Sequence, residues 1–340
     1  MMMHRIQLQA QLLLNIKKQM TILTKKHLLT LLLAFAFCSM AQAQQLGRRT
    51  QFITNTYLVN PAVAGTKQYT PIMASYRNQW TGFENAPTTY TLSGHTTLPN
   101  RIGVGAIFFH DDAGGAISNT GLELTGTYHV DLNNEDAVSF GLSGIVGQYA
   151  FNNTDLVVYD VNDPSIIGSN ESELGFDANF GMMVYGSNYF FGASVPQLLQ
   201  TGYNIEGFNS DKNERVRHFN LMASYLYFVN DEFAIQSSAL AKFTSSTPVQ
   251  LDFYARGIYN DFLWASLGYR HKDAFTIGVG GEYNNMMLSY AYDITTSDAR
   301  SFSPHTHELT IGYYLFGKGA IFSEKSLLGP KRLGRGRLVK

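Results

Sequence analysis

Few residues in this chain have both the type and the spacing for chemistry. His305 and His307 lie two apart, so on a strand their imidazoles share a side, with Asp293 and Glu308 near in register or sequence. Two histidines open a zinc site, but a third ligand at fixed spacing is missing, and polar strand-end histidines are the expectation. Asp111 and Asp112 ahead of Gly114 and Gly115 suit a solvated turn. Asp155, Asp160 and Asp163 lack the glycine and terminal glutamate of a calcium loop. No Gly-x-Ser-x-Gly elbow, zinc-protease helix or phosphate loop occurs, and Gly103-x-Gly105 lies within a strand pattern rather than opening a helix. No metal, cofactor, nucleic-acid partner or enzymatic activity is expected.

The elements that hold these residues alternate apolar and polar. Fourteen strands are predicted, at 70–80, 87–98, 101–110, 117–130, 137–150, 174–186, 189–196, 215–229, 232–244, 249–259, 262–270, 274–283, 286–296 and 305–316. Every second connection contains a two-residue turn with asparagine: Pro99-Asn100, Ser187-Asn188, Asn230-Asp231, Asn260-Asp261 and Asn284-Asn285. Asparagine tolerates the left-handed backbone that tight hairpins demand. The intervening connections are mostly longer, with 151–173 and 197–214 the longest. Short turns at one end and long loops at the other are the plan of an all-β, antiparallel, up-and-down barrel of the outer-membrane type.

Composition agrees. With 45% hydrophobic and 13% aromatic residues among 340, the chain could bury a sandwich core or face lipid. The barrel is preferred because Tyr and Phe gather near strand ends (Phe108, Phe109, Tyr227, Phe228, Tyr259, Phe262, Tyr313, Phe316), as girdles at membrane interfaces do. On 117–130, Leu122, Leu124, Gly126, Tyr128 and Val130 share one face and Glu123, Thr125, Thr127 and His129 the other. The apolar face belongs to lipid and the polar face to the bore. The bore should then hold Arg77, Glu123, Asp177, Lys242, Arg256, Arg270, Glu282, Asp293 and Glu308, paired across it because lone buried charges are prohibitive. Glycines inside strands, as in 103–105 and 278–281, relieve crowding where a barrel bends or where a neighbouring side chain fills a small lumen.

The ends indicate compartment and organisation. Lys25 and Lys26, an apolar run over 28–40 and Ala41-Gln42-Ala43 form a secretory signal over 1–43, with Met20 a plausible true start. Cys38 lies within it, so the mature chain carries no thiol. Residues 44–69 are expected to form a periplasmic docking strap, too short for a plug. The barrel follows over 70–316, and 317–340 is a basic, flexible tail with seven Lys and Arg against Glu324. Of 25 basic and 26 acidic residues, five basic ones precede residue 44, leaving twenty against twenty-six in the mature chain.

Several stretches carry a resemblance: 57–65 (Tyr-Leu-Val-Asn-Pro-Ala-Val-Ala-Gly), 75–82 (Ser-Tyr-Arg-Asn-Gln-Trp-Thr-Gly) with Ala86 and Pro87, 112–115 (Asp-Ala-Gly-Gly), 194–200 (Ser-Val-Pro-Gln-Leu-Leu-Gln) and 307–313 (His-Glu-Leu-Thr-Ile-Gly-Tyr). In this order they resemble the PorP/SprF family of the type IX secretion and gliding systems of Bacteroidota. The matched positions are Asn60, Pro61, Gly65, Tyr76, Arg77, Gln79, Trp80, Pro87, His307 and Glu308. The resemblance implies an outer-membrane barrel embedded in lipid that serves large adhesin cargo carrying a type IX sorting domain and contacts periplasmic components of that machinery. The alternative is a porin or hydrophobic-solute transporter. The basic tail departs from barrels that close on a terminal aromatic, here Phe316.

Signal cleavage sets the first test. The outer-membrane fraction should yield a mature chain starting at Gln44 by N-terminal sequencing; recovery in the soluble periplasmic fraction would oppose the barrel.

Overall fold

A computed structural model describes residues 50–67, 69–82, 85–115, 117–133, 136–152, 171–202, 216–244, 247–301 and 305–316. The signal, the tail and most of the two longest loops lie outside them. The strands are β1 (Thr70–Asn78), β2 (Thr88–Leu98), β3 (Ile102–Asp112), β4 (Ile117–Asp131), β5 (Ala137–Phe151), β6 (Glu171–Tyr185), β7 (Tyr189–Val195), β8 (His218–Phe228), β9 (Phe233–Thr244), β10 (Gln250–Tyr259), β11 (Leu263–Arg270), β12 (Ala274–Tyr283), β13 (Met286–Thr295) and β14 (His305–Leu315). Each pairs antiparallel with its chain neighbours, and β1 pairs with β14 to close the barrel. Closure leaves no open edge, so backbone N–H and C=O groups find partners without water.

The face assignments hold. Leu122, Leu124 and Tyr128 point outward, while Glu123, Thr125, Thr127 and His129 are buried. On β13, Leu288, Tyr290 and Ile294 face out and Ser289, Ala291, Asp293 and Thr295 face in. Three of the expected turns use left-handed backbone: Asn284 (φ 48°) and Asn285 (φ 67°) join Tyr283 to Met286 in two residues, and φ is positive at Asn100, Arg101, Asn260 and Asp261. The turns at 187–188 and 230–231 do not use it, and the connections at 99–101, 186–188 and 260–262 run to three residues and that at 229–232 to four, longer than expected.

The interior departs from expectation in two ways. It is not simply polar, because Met183, Phe190, Met222, Leu226, Leu240, Tyr254, Ile258, Trp264, Met287 and Tyr314 are all buried. The physical reason is that these side chains meet a partner within the bore. The segment expected to be a periplasmic strap lies inside the barrel, with Phe52, Tyr57, Ala62, Val63 and Ala64 packed in the same apolar cluster as the wall. Phe52 meets the Tyr254 ring edge-on at 5.3 Å. Burying one such side chain contributes about 1.5–3 kcal/mol, so the bore is a protein core.

The strap runs the length of the bore. Thr50 bonds Glu308 and Asp293, close to the long-loop ends of β14 and β13, whereas Gly65 and Lys67 bond Thr97 at the short-turn end of β2. The chain then reverses into β1 at that short-turn end.

Threading of this kind makes a labelling prediction. With Cys38 replaced, Gln51→Cys, beside Glu308 near the long-loop ends of the strands, should react with an impermeant maleimide from the same side as Leu199→Cys. Asn284→Cys should react only from the opposite side. Labelling of Gln51→Cys together with Asn284→Cys would refute the threading.

Candidate functional site

The strap and the wall that grips it form the candidate site. Asn60 is at its centre and fully buried. Its Oδ1 accepts the Ala62 N–H at 2.9 Å, capping a 3-10 turn (Pro61–Val63) that starts with proline. Asparagine as cap and proline at the first helical position are what such a turn prefers. The same amide donates from Nδ2 to the carbonyls of Met182 on β6 and Ala193 on β7, at 3.2 and 3.3 Å. One side chain thus folds the strap locally and fastens it to the wall.

Hydroxyls of the wall take the strap carbonyls that no helix or sheet satisfies. Ser194 donates to Val59, Ser139 to Ala62 and Thr127 to Ala64, at 2.7, 2.7 and 2.8 Å. Tyr57 OH meets Thr125 Oγ1 at 2.6 Å and Asn55 donates to Ser93. His95 Nδ1 accepts the Gly65 N–H at 3.2 Å. At His129, Nε2 faces the Ala64 carbonyl, an acceptor only, so it carries the proton, and Nδ1 accepts from Tyr185 OH. Leaving a buried polar group unmade costs about 1–3 kcal/mol, so these bonds specify where the strap lies.

Space for it comes from glycine. A Cβ on Gly181 would stand 2.0 Å from Asn60 Oδ1, and one on Gly141 would stand 2.5 Å from the Ala62 nitrogen. On the strap itself Gly65 has φ 76°, a left-handed value, and a Cβ there would meet the Gly103 backbone at 2.5 Å.

Near the long-loop mouth the predicted charges come together. Arg77 bridges Asp293 at 3.3 Å and Glu308 at 3.2 Å. Arg270 reaches Asp293 at 3.4 Å, Asp273 at 3.1 Å and Asp252 at 3.5 Å. These pairs join strands that are adjacent or one strand apart in the wall, from β10 round to β1, and the strap lies beside them. Glu308 also accepts the N–H groups of Thr50 and Gln51 with its two oxygens, at 2.8 and 3.2 Å. Asp177 is buried and accepts the Leu199 N–H, which folds 197–199 back onto β6. Glu123, Arg256 and Glu282 also face inward and are buried, whereas Lys242 is half-buried.

The remaining motif positions serve the rim or the lipid face. Gln79 N–H bonds the Pro87 carbonyl and closes the β1–β2 loop, and Trp80, at φ 59°, bonds Thr306. Tyr76 faces outward against Tyr90. His307 contacts Tyr290 and Tyr292 on the outer face, opposite Asp293 and Glu308. The histidines and the carboxylates therefore never converge.

Sequence reasoning passed over Asp252, His95 and Ser139; it placed His129 on the inward face and Tyr57 in a motif, but gave neither a partner in the bore. Asp252 was reachable, since it stands four residues before Arg256 on the inward face of β10. A signal for the strap was also present: 50–66 contains no charged residue, which suits burial better than periplasmic exposure.

Closed antiparallel strands, an apolar outer belt and a filled bore define an outer-membrane β-barrel. Residues 41–313 match the family model described as type IX secretion system membrane protein PorP/SprF, and the chain belongs to that family. No curated protein sequence matches it. Among solved structures it is similar to a Pseudomonas aeruginosa FadL homologue (10% identity, TM-score 0.45, covering 81% of this chain and 96% of that one). It is also similar to the Acinetobacter baumannii outer membrane protein Omp33 (9%, 0.43, 73% and 99%) and to BamA from Haemophilus ducreyi (9%, 0.41, 83% and 82%). These similarities are of architecture alone. The protein is an outer-membrane barrel of the secretion-associated class.

Gly181→Val should evict Asn60 from its seat. In detergent the variant should still form a heat-modifiable barrel but unfold at lower temperature, and Asn60→Leu should lose about 2–5 kcal/mol from its cap and its two carbonyl partners together. Wild-type melting in both variants would show that the strap is not gripped there.

Proposed function

We propose that this barrel supports secretion or surface attachment of large adhesin-like cargo by the type IX machinery, acting through its two mouths rather than through an open bore. The observation that carries this reading is the strap. It lies along the bore, it is fastened by Asn60 and by wall hydroxyls, and glycines in the wall leave room for it alone. A solute pathway needs a bore that can be vacated, and here vacating it would strand the buried polar atoms of both surfaces. The expectation that 44–69 is too short for a plug fails, so the case against a transporter now rests on how tightly the strap is held. Family membership supports contact with secretion components. Cargo with a type IX sorting domain at the long-loop mouth, and periplasmic components at the short-turn mouth and the basic tail, are the partners this reading assigns.

Deletion should abolish surface display of one large cargo or a small set while solute uptake stays normal, measured by protease shaving and uptake assays in parallel. Normal display in the deletion strain would contradict the proposal, and impaired uptake with intact display would favour the transporter. Truncation after Phe316 should leave the barrel assembled but reduce co-purification of a periplasmic partner at low salt, where screening of the tail is weakest. Unchanged co-purification would remove the tail from the account.

A further inference from the structure

Between the strap and the wall a cavity of about 90 Å³ remains. Its lining includes Arg256, Gln236 and Tyr314 from the wall, with Asn55, Tyr57 and Lys67 from the strap, and none of the described lining residues is acidic. Arg256 is 5% exposed and fixed at one end, where Nη2 donates to Thr54 Oγ1 at 2.7 Å and Cζ lies 5.4 Å from the Trp264 ring centroid. Its Nε has no partner, and among the described residues no carboxylate forms an ion pair with it. Every other arginine buried in this bore has one: Arg77 and Arg270 hold Asp252, Asp273, Asp293 and Glu308 between them. Glu282, whose field reaches Lys67, does not line the cavity.

A buried guanidinium needs a counter-charge, because one hydroxyl and one ring face offset only part of its lost hydration. Two cationic side chains on one partly polar space provide a place for that charge. We propose that the cavity is a binding site for a small monovalent anion of halide size, held by Arg256 with Lys67 as the second charge. Gln236 suits the same occupant. Its Oε1 is buried without a partner, and exchanging amide O and N would turn an N–H toward the cavity while Ser224 donates to the oxygen instead. Since Thr54, Asn55 and Lys67 come from the strap and Arg256 and Gln236 from the wall, the anion would act as a bolt between plug and barrel. Nothing in the proposed secretion role requires it.

The test uses the full mature chain in detergent. Replacing chloride by gluconate at constant ionic strength should lower the melting temperature, because gluconate spreads its charge over a bulky carboxylate and cannot sit as a compact ion against one guanidinium, and crystals grown in bromide should show anomalous density beside Arg256. Arg256→Met should abolish the bromide peak and weaken halide stabilisation at least about tenfold. Should that variant fail to fold, Gln236→Leu supplies the second reading, with a weaker halide response than wild type. A wild-type melting temperature indifferent to chloride, together with bromide crystals that show only water in the cavity, would overturn the proposal.

Discussion

A barrel closed by fourteen strands satisfies its backbone at once, but it encloses a bore that something must occupy. Here the occupant is the chain's own N-terminal segment, and most features of the interior follow from that. Apolar side chains can line the bore of β6–β13 because Phe52, Tyr57 and Val63 meet them. Serines and threonines recur on the inner face because a strap with little regular structure leaves its carbonyls free, and each needs a donor. Glycines sit where the strap backbone touches the wall. Without the segment, these same residues would form a wet tube with voids, unpaired hydroxyls and exposed aromatics.

The charge cluster belongs to the same arrangement. Arg77 lies between Asp293 and Glu308, and those two carboxylates receive Thr50 and Gln51. Removing one partner from a buried network of this type costs about 3–5 kcal/mol, although the network as a whole adds little over an apolar core of equal volume. Its value is positional: it sets where Thr50 and Gln51 lie at the long-loop mouth, as Asn60 sets where the strap lies near the short-turn mouth. The family motifs that looked scattered along the chain, 57–65, 75–82 and 307–313, meet at these two places.

Much of this was legible in the residues. Strand number, the facing of β4 and β13, and the inward position of every charged candidate follow from period-two alternation, which is strong when one face meets lipid and the other protein. The location of the strap was not legible from alternation, because 50–66 has no repeating pattern and its fold is dictated by the wall around it. Length misled as well, since a short segment can plug a bore when much of the filling comes from wall side chains such as Tyr254, Trp264 and Tyr314. Asp252 went unnoticed because an isolated acid between Leu251 and Phe253 carries meaning only once the strand's inward face is assigned.

Electrical conductance in planar bilayers tests the filled bore most directly. The account predicts that the purified wild-type protein inserts without steady ion channels, and that a chain lacking 50–66, checked for heat-modifiable folding, opens stable ones. Steady wild-type conductance equal to that of the strap-deleted chain would contradict it.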